Sequence, residues 1–131
     1  LNCLTGGQLL EASGYFATPT VYTSVPTTSQ LWMEEVFGPV LVCTTFTDDA
    51  EAIRLANDSK FALAATIVSA DETKALEMAL QIKAGHIWIN EQQIVLPEAG
   101  WGGFKQSGIG RELGGDGLSA YQKSKHVLLT D

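Results

Sequence analysis

A glycine-dense run near the end of the chain constrains the fold more than any other stretch of the sequence. Residues 100–114 (GWGGFKQSGIGRELG) hold six glycines in fifteen residues, a density that the interior of a helix or strand does not accept. A flexible linker would lack the bulky and charged side chains of this run, such as Trp101, Phe104 and Arg111. The run therefore predicts a compact turn in which backbone lies against backbone or against a ligand.

Composition limits the class of protein. A chain of 131 residues with 45% hydrophobic and 18% charged residues has the makeup of one globular domain with a core. The net charge of -7 and eight scattered basic residues argue against nucleic acid as a partner. No apolar run reaches the length of a membrane span. Because Cys3 and Cys43 are too few for a disulfide framework, we expect a cytoplasmic protein without a membrane partner.

Strand and helix patterns alternate in the middle of the chain. Residues 40–46, 63–68 and 86–90 are rich in β-branched and apolar residues and are predicted strands. Helices are predicted between them over residues 49–57 and 72–83, each preceded by a capping residue. This order is typical of an α/β fold, in which a parallel sheet is connected by crossover helices.

Shorter elements are predicted around this set. Residues 20–22 could form an edge strand, residues 31–36 a short amphipathic turn, and residues 118–122 a last helical turn. Residues 125–129 (KHVLL) read as a final strand with no local partner. Gly85 is a plausible C-terminal cap of the second long helix.

A second candidate site lies at residues 34–39 (EEVFGP). A carboxylate here can accept hydrogen bonds from two adjacent hydroxyls, as a ribose presents them, and Phe37 can cover one side of a flat ring. From these six residues alone, two solvated glutamates and a core Phe are the simpler interpretation.

Several motifs in the same order resemble the NAD(P)-dependent aldehyde dehydrogenase family. They are LTGG (4–7), EEVFGPV (34–40), AIRLAND (52–58), GHIWIN (85–90) and WGGFKQSGIGREL (101–113). The resemblance spans essentially the whole chain. It implies a parent enzyme that oxidises a small aldehyde to a carboxylic acid with NAD or NADP.

The resemblance also implies an organisation for the chain. Residues 1–123 would belong to the carboxyl-terminal part of an α/β catalytic domain, with its parallel sheet and crossover helices. Residues 124–131 would form an oligomerisation strand, so a homo-oligomer is expected.

The resemblance assigns roles to four side chains. Glu35 matches the glutamate that hydrogen-bonds the nicotinamide ribose, and Phe37 the aromatic that contacts the same end of the cofactor. Trp101 matches the aromatic at the mouth of the substrate pocket, and Val95 lies where the family lines the tunnel near the aldehyde. Arg111, with its neighbour in the motif, is expected to hold loops and subunits together.

The catalytic centre of the family is expected outside this chain. The nucleophilic thiol, the general base, the oxyanion asparagine and the dinucleotide-binding domain all lie before the first residue by the resemblance. Cys3 and Cys43 are not in the nucleophile's context, and Cys43 should be buried in its strand. His86 and His126 lie in predicted strands, so no catalytic or metal-binding residue is assigned. The isolated chain is expected to be inactive.

Two alternatives stay open. Trp101 and Trp32 resemble the branch that oxidises betaine aldehyde and aminoaldehydes, whose ammonium groups are held by cation–π contacts; Trp101 could equally be an ordinary pocket aromatic. Gly100 in place of the usual Pro, and an unfamiliar loop at residues 90–97, leave the substrate undecided. The chain could also be a non-catalytic assembly or binding module that keeps the fold but not the reaction.

Overall fold

A computed structural model describes residues 1–11 and 13–131. The chain divides into two compact units, Leu1–Ser59 and Lys60–Asp131. Each unit contains one pair of parallel strands, and helices connect the strands. The α/β class is therefore confirmed, as is the parallel pairing of the strands predicted at residues 63–68 and 86–90. The strand predicted at residues 40–46 was expected in the same sheet but pairs with residues 20–23 in a separate one.

The first unit contains a three-stranded sheet in the order β1-β2-β3. Strand β1 (Asn2–Thr5) pairs antiparallel with β2 (Thr20–Thr23), which pairs parallel with β3 (Val40–Cys43). The prediction of an edge strand at residues 20–22 is wrong, because β1, which the sequence patterns did not indicate, covers its outer side. Left-handed backbone at Gly6, with φ of 79°, follows β1 where that strand ends.

Strand β3 is shorter than the predicted strand at residues 40–46. The register pairs Thr23 with Cys43, and both strands end at this pair. Ser24 has a φ of 52°, which turns the chain away from the sheet and leaves residues 44–46 without a strand partner.

The helices of the first unit begin at side-chain caps. Helix α1 (Gln30–Met33) lies between β2 and β3, and α2 (Asp49–Asn57) follows β3 with the predicted bounds. Asp48 accepts a hydrogen bond from the Glu51 amide at 2.8 Å, and the Glu51 carboxylate accepts from both the hydroxyl (2.7 Å) and the amide (2.8 Å) of Thr47. The hydroxyl and amide bonds from Thr47 lower the pKa of Glu51.

The second unit is organised around β5 (Ala64–Ile67) and β6 (His86–Ile89), which pair parallel with α3 (Glu72–Ala79) between them. Helix α3 buries Ala75 completely and ends at Ala79, before the predicted end at residue 83. The prediction that Gly85 caps this helix is wrong. A Cβ at Gly85 would overlap the carbonyl oxygen of Gly102, so close backbone packing explains the glycine.

The remaining elements of the second unit are short. Strand β4 (Phe61–Ala62) pairs antiparallel with β7 (Phe104–Lys105), inside the glycine-dense run, and α4 (Gly114–Ser119) begins where that run ends. A helix thus follows the glycines directly, and it covers only part of the predicted turn at residues 118–122.

The predicted strand at residues 125–129 does not form. Residues 122–131 contain no helix or strand, and Val127, Leu128 and Leu129 are 80–93% exposed. No described strand pairs with this segment, so its backbone lacks the partner that a strand requires. His126 therefore does not lie in a strand.

None of the helices in residues 1–11 and 13–131 is long and apolar enough to cross a membrane.

Candidate functional site

The first candidate region is the segment at residues 34–39, called here the EEVFGP corner. It follows α1, whose N-terminus is capped by the hydroxyl of Ser29 accepting from the amide of Leu31 at 3.3 Å. The indole of Trp32 donates to the carbonyl of Asp58 at 3.2 Å and ties α1 to the end of α2. Trp32 therefore has a structural contact inside the first unit.

The two predicted cofactor residues lie close together on the surface of this corner. Phe37 is 90% exposed and has a φ of 56°, a left-handed conformation that is a genuine outlier for a bulky residue and is typical of ligand sites. The Glu35 side chain is exposed, and within the described part of the chain its carboxylate has no hydrogen bond or ion pair. Both line a shallow cleft of about 420 Å³ whose other walls are Leu31, Glu34, Val36, Gly38, Val40 and Val42.

These residues fit the nicotinamide end of a dinucleotide. A ribose needs an acceptor that is not already used by the protein, and the Glu35 carboxylate meets that condition. A flat ring needs an exposed aromatic face, and the Phe37 ring offers one.

The second candidate region is an aromatic cluster of His86, Trp88 and Trp101. The ring centroids of His86 and Trp88 are 4.5 Å apart, those of His86 and Trp101 5.3 Å, and those of the two indoles 6.0 Å, all with tilted planes. Trp88 is buried, with 7% of its surface exposed. The cluster places the predicted substrate residue Trp101 against the end of the β5–β6 sheet.

Trp88 also contacts the loop that carries Val95. Its indole N–H donates to the carbonyl of Ile94 at 2.9 Å. Val95 is the next residue and is half exposed. Trp101 and Val95 are thus both connected to Trp88, one through ring contact and the other through this hydrogen bond.

Backbone and side-chain bonds close the glycine-dense run into the compact turn that the sequence predicted. Trp101 and Glu112 exchange two backbone hydrogen bonds of 2.7 and 2.8 Å. The guanidinium of Arg111 donates to the carbonyls of Gly103 (2.9 Å) and Gly110 (2.8 Å). It also lies 4.9 Å from the centre of the Phe104 ring. Arg111 holds the loop, as expected.

An open cleft of about 1350 Å³ borders this turn in the second unit. Trp101, Ser107, Arg111 and Leu113 are among its walls. The Ser107 hydroxyl accepts from the Ala62 amide at 2.8 Å and so fixes one side of the cleft to β4.

The two thiols occupy unremarkable positions. Cys3 is exposed and its thiol donates to the carbonyl of Thr5 at 3.3 Å. Cys43 is only half-buried, so its predicted burial is wrong; β3 is the outer strand of its sheet and one side remains open.

Sequence reasoning did not assign Trp88 to the site. The signal was available, because His86 and Trp88 are two residues apart in a strand and therefore point to the same face of the sheet. Of the four predicted site residues, Glu35 and Phe37 belong to the first unit and Val95 and Trp101 to the second.

Comparison with known proteins gives relatives that are all aldehyde dehydrogenases. The model of the aldehyde dehydrogenase family matches residues 1–127. The peroxisomal aminoaldehyde dehydrogenase 1 of Pisum sativum is 46% identical over 95% of this chain and 25% of its own length. A chloroplastic aminoaldehyde dehydrogenase of Arabidopsis thaliana is 47% identical over 96% of this chain and 26% of its own.

A solved structure agrees with these relatives. The betaine aldehyde dehydrogenase of Staphylococcus aureus in complex with NAD+ superposes with a TM-score of 0.89 and 44% identity, over 96% of this chain and 26% of that one. The chain thus spans about a quarter of the length of the relatives it matches. Because the family model covers nearly all of its residues, the chain belongs to the aldehyde dehydrogenase family.

Proposed function

We propose that this chain forms part of an NAD(P)-dependent aldehyde dehydrogenase, in which it supplies contacts to the nicotinamide ribose, the mouth of the substrate pocket and an assembly strand. The observation that carries the proposal is the EEVFGP corner. There the Glu35 carboxylate, which has no partner among the residues that the structure describes, and the exposed ring of Phe37, held on left-handed backbone, line one cleft. If the simpler interpretation of two solvated glutamates and a core Phe held, the Phe37 ring would be buried.

The chain's own residues would bind the cofactor and the aldehyde and orient them. The Glu35 carboxylate accepts hydrogen bonds from the ribose hydroxyls, and the Phe37 ring limits where the nicotinamide can lie. Trp101 and Val95 would line the entrance for the aldehyde. NAD or NADP, when bound, supplies the oxidant of the reaction.

The groups that react with the aldehyde would come from outside these 131 residues. The family reaction needs a thiolate nucleophile and a base that activates water. Cys3 is exposed and bonded to a backbone carbonyl, and Cys43 is half-buried at the end of β3. The isolated chain is therefore expected not to oxidise aldehydes, and NADH formation from betaine aldehyde by the pure chain would contradict this.

The indole of Trp101 favours, as substrate, an aldehyde that carries an ammonium group. An indole face attracts cations more strongly than the other aromatic rings do. The named relatives in pea and Arabidopsis act on aminoaldehydes by their names. A preference for betaine aldehyde over a neutral aldehyde of the same size tests this, and equal KM values would speak for an ordinary pocket aromatic.

Glu35→Gln in the longer enzyme tests the cofactor role. Gln keeps the size but loses the charge, so the KM for NAD should rise about tenfold, the loss of one charge-assisted hydrogen bond, while the KM for aldehyde stays constant. Glu34→Gln is the neighbouring comparison: the Glu34 carboxylate lines the same cleft but already accepts from the Gln30 side chain at 3.0 Å, so its KM for NAD should rise less. An unchanged KM for NAD in Glu35→Gln would remove the assignment.

The assembly role rests on the exposed apolar end of the chain. Val127, Leu128 and Leu129 are almost fully solvent-accessible and their backbone is unpaired within the described residues. Such a segment is suited to add a strand to another subunit's sheet. Sedimentation of the enzyme with and without residues 124–131 checks this, and an unchanged mass would refute it.

The same experiments address the alternative of a non-catalytic module, which predicts self-association without aldehyde oxidation by the longer protein. A cytoplasmic location stays a prediction, and fractionation of the source cells tests it.

A further inference from the structure

Trp88 is a side chain of the aromatic cluster that the proposed function does not use. It is buried, with 7% of its surface exposed, and it is not a wall of the open cleft. It nevertheless contacts both predicted substrate elements of the second unit. We propose that Trp88 is a positioning residue that sets the distance between the Trp101 ring and the Val95 loop, and thereby the width of the aldehyde entrance.

The first contact is between the Trp88 and Trp101 rings. The two indole centroids are 6.0 Å apart at a 44° tilt, and His86 lies between them at 4.5 and 5.3 Å. These are ordinary distances for favourable tilted aromatic pairs. Trp101 is otherwise held mainly through its backbone pair with Glu112, which places its Cα but not its ring.

The second contact fixes the Val95 loop. Residues 91–99 contain no helix or strand, and local backbone bonds, such as that from the Ile94 amide to the Gln92 carbonyl at 2.7 Å, shape the loop without tying it to β6. The indole N–H of Trp88 donates to the Ile94 carbonyl at 2.9 Å, directly before Val95. Without this donor a half-buried carbonyl would lose its partner and the loop could move away from the cluster.

The start of the same loop is also fixed. Asn90 has a φ of 52°, and its side chain exchanges two hydrogen bonds with the backbone of Ser69, of 2.7 and 2.8 Å. Strand β6 is thus anchored at its end, and Trp88 restrains the loop further along, at Ile94. Trp88 therefore contacts both the Trp101 ring and the Val95 loop.

The inference rests on the proposed function, and its test uses the longer aldehyde dehydrogenase that carries this sequence. Trp88→Phe keeps an aromatic ring beside His86 but removes the donor to Ile94. We expect the KM for aldehyde to rise about fivefold, as for one lost hydrogen bond, with the KM for NAD unchanged. Trp88→Tyr places a hydroxyl at the tip of the ring, so its KM for aldehyde should lie between those of Trp88→Phe and wild type.

Trp32→Phe is the matched control. Trp32 also donates its indole N–H to a backbone carbonyl, that of Asp58, but it lies in the first unit. It should leave the KM for aldehyde unchanged. A Trp88→Phe enzyme with wild-type KM values, or one in which both KM values rise equally, would overturn the inference while leaving the proposed function intact.

A second measurement does not depend on turnover. In the 131-residue chain with Trp32→Phe, the further changes Trp88→Phe and Trp88→Tyr each leave Trp101 as the one tryptophan, so acrylamide quenching of tryptophan fluorescence reports on its ring alone. Trp101 in the Phe variant should be quenched about twofold more strongly than in the Tyr variant, because only Tyr keeps a donor at the tip of the ring for the Ile94 carbonyl. Equal quenching of the two variants would count against the coupling. If the longer wild-type enzyme oxidises no aldehyde, the proposed function fails, and the quenching result still decides whether Trp88 holds Trp101.

Discussion

The EEVFGP corner and the aromatic cluster achieve a defined geometry by different physical means. In the corner, Phe37 is 90% exposed, and the backbone sets its position through a φ of 56° before Gly38 and Pro39. In the cluster, Trp88 is buried among rings and bonded through its indole. Backbone restriction costs conformational energy and leaves a surface free for a ligand, whereas side-chain packing contributes to stability and leaves little surface free.

This difference gives an expectation for mutations in the two regions. Changes around the cluster should lower the free energy of unfolding of the second unit and change substrate binding together. Changes in the corner should alter cofactor binding with little loss of stability.

The largest effect is expected at Gly85, which precedes β6. In Gly85→Ala the new methyl group would overlap the Gly102 carbonyl oxygen and lie 3.1 Å from the Gly103 Cα, both of which are backbone. Neither can rotate away, so we expect the free energy of unfolding to fall by more than about 3 kcal/mol. Urea unfolding followed by tryptophan fluorescence measures the change.

Gly115→Ala is the control for this prediction. Gly115 lies in α4 and a Cβ there meets no atom within 4 Å, so Ala should stabilise the chain by about 0.5–1 kcal/mol. Equal unfolding midpoints for the two variants would show that backbone packing does not define the region around β6.

A smaller loss is expected at Arg111, which holds the turn beside Trp101. Arg111→Met keeps the length of the side chain but removes the donors to the carbonyls of Gly103 and Gly110 and the contact with Phe104. Hydrogen bonds from a charged group contribute about 1.5–3 kcal/mol, so a loss of about 2 kcal/mol is expected for this half-exposed site. Lys123→Met is the control and should change the free energy of unfolding by less than about 0.5 kcal/mol, since Lys123 is exposed. A loss no larger in Arg111→Met than in Lys123→Met would mean that the turn is held by its backbone alone.

Local signals made much of the fold predictable. The bounds of α2 follow from Asp48 and Glu51, whose capping bonds involve residues within one turn of the helix. Strands β3, β5 and β6 were predicted because β-branched and apolar residues dominate them. The parallel pairing of β5 with β6 followed from α3 between them, whereas β3 pairs with β2 and not with β5.

Long-range pairing was not predictable. The partners of β4 and β7 lie about forty residues apart in the chain and each strand has two residues, too few for any periodicity. Gly85 was predicted to cap a helix, because the sequence could not show that its neighbour in space is Gly102. In the candidate site, Glu35 and Phe37 were predicted through a motif, whereas Trp88 depends on contacts with residues from two other segments.

The smallest stability effect, and the sharpest contrast with the cluster, is expected at Phe37. Because Phe37 is 90% exposed, removing its ring should cost almost no packing energy. Its left-handed φ favours glycine, so Phe37→Gly should be more stable than Phe37→Ala by about 1 kcal/mol, although glycine is the more flexible residue when unfolded. Amide hydrogen exchange in β3, whose first residue Val40 lies three positions later, measures this locally. Both variants should bind NAD more weakly in the longer enzyme by the same factor, because both lack the ring. If Ala proves at least as stable as Gly, the backbone at Phe37 is not left-handed in solution, and the corner is then organised by side-chain contacts as the cluster is.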